Sequence, residues 1–498
     1  MTRSLLWLSL ALLVFRVVSA VLVVVQPGFT DAYYYVDVAR RVAHGQGLTA
    51  DFVWNFLEAP GFAPLPVPSH RFWMPLASVL QAAGIVTLEP LLGPFRSAQA
   101  AVVAAAALVP AATYVAARSI GATTRASLTA AALAGIGGGA FAPAWVTLDS
   151  FAIAALVGTC FFIAFARAAS GDVRAGAIAG GLVGILFLAR AEGALFGVAL
   201  LALSVRPVSR RAGIVGALVA LVIGSAWLAR GLSLGESPDL LSRTVLLARY
   251  EDFFAVFPSS TLDLGTAVGQ RVSALGTDLL IALVSLLFFL VAPLAMGIRA
   301  GWRLPTVRAF AALALGLYVV EAMVWPLHAT RGSYFHSLAA FYPFAMALVA
   351  LGGDAWLARR GERTALVAVS GTILAASVLA AVGLVGWDSA YNTGYRARLA
   401  ALEAIPPGPF FAIDAAAWRW IADRTVYVTP ADGPELGTCL ASRYGATSIV
   451  LEPAHFSTYE SLYQGATNPL LGSPVDRSGI RVYPVARGVE CAISIRDR

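Results

Sequence analysis

The sequence predicts an all-α polytopic membrane bundle with a soluble α/β domain at its C-terminal end. Three observations predict it. Of 498 residues, 59% are hydrophobic and only 13% are charged, against about 25% charged in soluble globular chains. Apolar runs near the roughly 20 residues that a bilayer crossing needs recur along the first 387 residues. From 388 onward, 21 of 111 residues are charged, against 42 of the 387 before them. This composition excludes a disordered chain, a disulfide miniprotein and an ordinary cytosolic enzyme.

The runs 4–25, 97–117, 126–145, 150–167, 212–230, 275–298, 309–326, 334–357 and 364–386 each read as a span. The stretch 174–205 is apolar except for Arg190, Ala191, Glu192 and Gly193 at its centre, and reads as two short spans meeting at that break. About eleven crossings follow, within a range of ten to thirteen. The gaps 118–125, 167–174, 206–211, 299–308 and 359–363, with Arg3, hold 14 Arg against Asp172 and Glu362. Such gaps face the cytoplasm. The expected protein is therefore a multi-pass protein of the cell membrane with its N-terminus inside and its C-terminal part outside. Parity makes the apolar run 73–92 an interfacial or re-entrant helix within a long outer loop, 26–96. Two domains are expected: 1–387, the membrane part with that loop, and 388–498, extracytoplasmic. In the latter, "FFAID", "TVYVT", "TSIVLE" and "IRVYPV" read as strands, and "AAAWRWIADR" and "PELGTCLASRYG" as intervening helices, a pattern of small α/β domains. No dinucleotide fingerprint accompanies them.

The net charge is +7. Because most Arg lies in gaps between apolar runs, the positive-inside rule explains it, and no nucleic-acid partner is expected. All 35 basic residues are Arg, which rules out lysine Schiff-base or nucleophile chemistry. Cys160, Cys439 and Cys491 lack metal-ligand spacing. Cys160 reads as a buried filler, and Cys439 with Cys491 is a candidate disulfide in an oxidising compartment.

Polar residues at span ends are costly and point to function. Asp31, in "QPGFTDAYYYVDVARRVAHGQGLT", opens an amphipathic helix that carries Tyr34 and Tyr35; it either serves the helix terminus or does chemistry. Asp149, in "WVTLDSFAIAAL", poses the same choice, and two carboxylates at one rim could share a divalent metal (Mg or Mn) or divide base and binding roles. Arg190 and Glu192 interrupt a long apolar stretch. His328, Arg331, Tyr334 and His336 lie in "WPLHATRGSYFHSLAAFYP", where Arg331 could fork onto phosphate. His70-Arg71 precedes the 73–92 helix. Arg16, inside the first span, is expected to pair with another helix. Trp418 and Trp420 read chiefly as core aromatics. A rim of acids and Arg suits an anionic lipid with a polar partner.

The ordered segments "DAYYYVDVARRVAHGQGL", "LDSFAIAALVGTCFFIAFARA", "GGLVGILFLARAEGALF" and "ATRGSYFHSLAAFYPF" resemble those of the integral-membrane glycosyltransferases of the GT-C superfamily, in particular the dolichyl-phosphate-mannose-dependent mannosyltransferases and the bacterial lipid A aminoarabinose transferases. The resemblance covers about residues 1–360. It implies inverting transfer of a hexosyl or pentosyl group from a polyprenyl-phosphate-linked donor to a glycan, lipid or protein acceptor at the outer membrane face. It implies Asp31 as general base and Asp149 as the second acidic position, orienting the acceptor or binding metal. It further implies Arg190, Arg331 and Arg71, with His328 and His336, at the donor phosphate, and Tyr34, Tyr35, Glu192 and Tyr334 at substrate. Where the family has Lys-Pro-Pro this chain has His-Arg-Phe-Trp, and Asp149 lacks the acidic neighbour common in metal-using members, so no cofactor is required by the pattern. Two other readings remain: a transporter or flippase of an anionic lipid-linked substrate, disfavoured by the absence of an internal repeat, and an envelope scaffold.

Overall fold

The computed structural model describes residues 3–57, 65–235, 244–258, 262–357 and 360–486. Within them, seven helices are long and apolar enough to cross a membrane, or eight if the bent pair Thr124–Ile136 and Gly138–Ala144 is one span. Three shorter apolar helices, Val173–Ala189, Ala191–Ser204 and Tyr342–Leu357, lie where the other three crossings are expected. The run 275–298 is divided between the helices Leu264–Ser285 and Val291–Gly301. The chain forms two compact units: one from 1–25, 73–235 and 269–388, the other from 26–72, 236–268 and 389–498.

The first unit is helical. Its helix Leu76–Ser119 is broken at Gly93, where φ is 71°. A Cβ at Gly84 would meet the Ser97 carbonyl and the Ala101 side chain, so the arm before Gly93 folds back along the arm after it. The 73–92 segment, expected as a lone interfacial or re-entrant helix, is one arm of this helical hairpin. Small residues set the closest helix packing. On Val173–Ala189, a Cβ at Gly176 would meet the Ala212 carbonyl, and one at Gly180 the Gly216 carbonyl, both on Arg210–Ser233. Lipid offers no hydrophobic drive for helix association, so close backbone approach supplies the attraction instead. The other face of Arg210–Ser233 exposes Leu218, Leu221, Val222, Leu228 and Leu232, as a lipid-facing helix does. Arg16 is buried in the first helix and donates from its Nη2 to the Gly135 carbonyl at 3.2 Å, the interhelical pairing expected of it.

The second unit holds a six-stranded sheet. Its strands are β2 (Phe52–Val53), β4 (Phe410–Ala412), β5 (Val426–Val428), β6 (Ser448–Leu451), β7 (Val475–Arg477) and β8 (Ile480–Pro484), in the order β2-β5-β4-β6-β8-β7. A separate pair joins β1 (Thr49–Ala50) to β3 (Val67–Pro68). The strands β4, β5, β6 and β8 and the helices Ala415–Ala422 and Pro434–Arg443 fall within the segments expected from the tail. Unforeseen is β2: a strand from the 26–96 loop pairs in parallel with β5, Phe52 opposite Val426, and caps that edge. Helix Thr30–Ala43 is tied to the same unit by charge. Arg40 contacts Asp37 at 3.0 Å and Asp423 at 2.9 Å. Arg398 contacts Asp414 at 3.1 Å and Glu452 at 2.9 Å, while Trp418, fully buried, donates to Glu452 at 2.7 Å. Trp420 stacks under Arg40. Cys160 is a free thiol. Cys439 is buried on Pro434–Arg443, and Cys491 lies outside the described residues.

Replacing Gly180 by Val should force the two packed helices apart and cost about 1–3 kcal/mol, while Gly181→Val, which meets nothing within 4 Å, should leave the melting midpoint in detergent almost unchanged. Equal midpoints for the two variants would remove the close-packed seam as a stabilising feature.

Candidate functional site

A bent helix delivers Asp149. Gly137 ends Thr124–Ile136 at φ 80°, and the chain turns by 64° into Gly138–Ala144. A side chain at Gly137 would collide with the Trp145 indole and the Ala142 amide. The indole donates to the Ala134 carbonyl at 3.1 Å, and Gln99 donates to the carbonyls of Val24 and Val146 at 2.9 and 3.1 Å. These bonds fix the turn ahead of the helix Phe151–Ala168. Asp149 is buried there, accepting from the Ser150 amide and hydroxyl. Its Oδ1 stands 3.5 Å from His336 Nδ1, and its Oδ2 has no hydrogen-bond partner among the described residues. Burial opposes its ionisation, but His336 and the Ser150 amide outweigh burial and hold it below the usual carboxylate range, with a further contribution from Arg190.

Arg190 closes the C-terminal end of Val173–Ala189 in an extended conformation. Its guanidinium grips Glu192 at two points, 3.3 and 3.0 Å, a two-point contact that fixes orientation as well as charge. The Ser333 hydroxyl sits 3.2 Å from Arg190, 2.9 Å from Glu192 and 3.1 Å from Glu321. Ser337 adds a bond to Glu321 at 3.3 Å. A cavity beside this network is walled by Ala154, Leu186, Phe196, Leu317 and Phe341, with Arg190 and Glu192 at its polar side. His328 faces the Arg190–Glu192 pair; desolvation lowers its pKa to about 4, Glu192 opposing and Arg190 adding to the shift. Arg331 is exposed on the turn between Pro326–Ala329 and Ser333–Leu338. Tyr334 is buried, its ring 6.1 Å from that of Tyr318. The first unit thus brings Asp149 to His336, and Arg190, Glu192 and His328 to one network.

In the second unit, Asp31 occupies the first turn of Thr30–Ala43, whose N-cap is Phe29. Asp31 is therefore not the capping residue; it is half-buried and interacts electrostatically with Tyr391. Gln26 accepts from the Gly28 amide and the Tyr33 hydroxyl and donates to Asn392, which secures the loop before Asp31. Tyr34 and Tyr35 are buried in an aromatic cluster with Phe52, Trp54 and His70, and the Tyr34 hydroxyl accepts from the His70 amide at 2.6 Å. Arg71 lines a small pocket with Tyr34, Phe52, Trp54 and Asn55.

Sequence reading passed over Ser333, Ser337, Glu321 and Asp278. The two acids had a signal: each is a carboxylate inside an apolar span, the kind of residue that marks function by default. Both are fully buried. The serines had none, because a hydroxyl in a helix is usually satisfied by its own backbone.

Solved structures resemble this chain. ArnT from Cupriavidus metallidurans in complex with undecaprenyl phosphate matches at 15% identity and a TM-score of 0.61, over 97% of this chain and 98% of that one. The Archaeoglobus fulgidus oligosaccharyltransferase matches at 14% identity and a TM-score of 0.55, over 90% and 69%. The arabinofuranosyltransferase AftD from Mycobacteria matches at 13% and 0.52, over 99% of this chain but only 40% of its own length. No family model and no curated protein matches the sequence. The chain shares its fold with these solved structures.

A buried histidine held neutral destabilises the folded state once the unfolded chain can take up a proton. For His328 the unfolded form binds more protons between pH 6.5 and about 4, so stability rises with pH across that window. His328→Gln should show a shallower loss of melting midpoint than the wild type as pH falls through it; parallel curves would show that His328 is not held neutral.

Proposed function

We propose that this protein is an inverting glycosyltransferase that moves a sugar from a polyprenyl-phosphate donor to an acceptor hydroxyl at the outer face of the cell membrane. The observation that carries the reading is the cavity of the first unit, where apolar walls meet a two-point-held guanidinium. Such a guanidinium suits a phosphate, since Arg presents a fork of donors to phosphate oxygens. The fold supports the same class, as does a relative of that fold bound to undecaprenyl phosphate.

In this mechanism Asp31 takes the proton of the acceptor hydroxyl as its oxygen attacks the anomeric carbon. The bond from that carbon to the phosphate oxygen breaks on the opposite side, and the electron pair leaves with the polyprenyl phosphate. Arg190 and Arg331, with Arg71, stabilise the charge gained by the leaving phosphate. His328 and His336 line the phosphate end, while Glu192, Tyr34, Tyr35 and Tyr334 shape the substrate site. Asp149 orients the acceptor. A divalent cation would fit one feature of Asp149, its buried Oδ2 without a hydrogen-bond partner among the described residues; held there, it would supply positive charge to the phosphate.

Asp31→Asn should lower transfer from a radiolabelled polyprenyl-phosphate sugar in membranes by about 10²–10⁴ while sparing donor binding, whereas Arg190→Gln should lower kcat and also raise the donor KM. Undiminished transfer by Asp31→Asn would remove it as base. If the wild type transfers sugar from no donor yet moves the lipid between leaflets of vesicles, the transporter reading replaces this one.

A further inference from the structure

We infer that Glu321 works as a neutral carboxylic acid that, through Ser333, holds the Arg190–Glu192 pair ready for an anionic ligand. Hydrogen counting at Ser333 leads there. Its hydroxyl has one hydrogen to give and two lone pairs, and it faces three groups at hydrogen-bond distance: Arg190, Glu192 and Glu321. Arg190 can only donate, so it takes one lone pair. The single hydrogen serves one carboxyl. The second carboxyl then meets the remaining lone pair, and that contact is favourable only if this carboxyl brings a hydrogen of its own. Glu192 has the two-point contact with the guanidinium and is the anion. Glu321 is therefore the acid, its hydrogen directed at Ser333 and the adjoining Glu192 carboxylate while its Oε1 accepts from Ser337.

The surroundings agree. Glu321 is fully buried on Pro305–Val324, and its Oε2 has no hydrogen-bond partner among the described residues. A buried anion left half-solvated costs far more than a neutral carbonyl oxygen in the same position. The titratable groups facing Glu321 are Glu192 and Arg190 from the turn after Val173–Ala189 and Tyr334 from Ser333–Leu338; Asp278, on Leu264–Ser285, acts on Tyr334 from another side. With Glu321 neutral, Arg190 and Glu192 balance, and an incoming anion meets a guanidinium without surplus negative charge. With Glu321 ionised, a second carboxylate sits against the same hydroxyl, and the anion is repelled. Glu321 is thus a positioning residue, and its role at a lipid phosphate rests on the proposed glycosyltransferase reading.

Two measurements on the full chain in lipid nanodiscs test this. Infrared spectra should show a carbonyl stretch of a protonated carboxyl in the wild type that is lost in Glu321→Gln; identical spectra overturn the proposal. Binding of a polyprenyl phosphate should be kept by Glu321→Gln, whose amide preserves shape and donor, and weakened by Glu321→Ala. Raising the pH until Glu321 ionises should weaken wild-type binding about tenfold or more and leave Glu321→Gln unaffected. Equal losses in Gln and Ala, or equal pH profiles for wild type and Gln, overturn it. A wild type that shows the infrared band but binds no polyprenyl phosphate keeps the proton on Glu321 and overturns instead the lipid-phosphate reading.

Discussion

A guanidinium between membrane helices has to be paired, because no water is at hand to solvate it and an unmatched charge there costs several kcal/mol. The Arg190–Glu192 contact meets that constraint at the end of Val173–Ala189. Val173–Ala189 stops at Arg190 in an extended conformation instead of running on. Ser333 and Ser337 turn their hydroxyls inward from the next polar segment, and Glu321 reaches them from a third helix. Pairing alone would produce an inert ion pair. This one lies on the wall of a small cavity whose other lining residues, apart from Gly193 and Ser337, are Leu, Phe and Ala.

Asp149 illustrates how the fold sets the chemistry of a carboxylate. Burial by itself would favour its neutral form. The Ser150 amide and the His336 ring reverse that preference, the amide following the chain turn that Gly137 permits and the ring coming from Ser333–Leu338. The acid and its imidazole therefore belong to one rigid arrangement, in which a displaced turn would alter charge as well as position.

The second unit solves a different problem. A short sheet with exposed edges invites unwanted pairing, and here the outer edge of β5 is taken by a two-residue strand borrowed from the loop after the first span. Ion pairs of Arg40 with Asp423 and of Arg419 with Asp423 at 3.0 Å tie the helix bearing Asp31 to the helix bearing Trp418. The residues expected to contact substrate from this unit, Tyr34 and Tyr35, also form its aromatic core, so their packing and any recognition role draw on the same rings.

Composition and hydrophobic period marked the apolar runs, the strand segments of the tail, and Asp31, Asp149, Arg190 and Arg331 as candidates, because these signals are local: an apolar run, an alternating strand, a charge where none is expected. The same local rule marks Glu321 and Asp278, two acids inside apolar runs. Partnership was not legible. Ser333 is unremarkable until the fold sets it between one guanidinium and two carboxyl groups, and β2 is two residues long, too short for any periodicity. The helical hairpin at Gly93 likewise follows from contact between Gly84 and Ser97. By itself the amino-acid sequence determined which segments are apolar and where charge interrupts them, since transfer free energy depends on composition along the chain. Only the tertiary structure decided which charges meet, because hydrogen-bond pairing and close helix approach depend on distances between residues far apart in sequence.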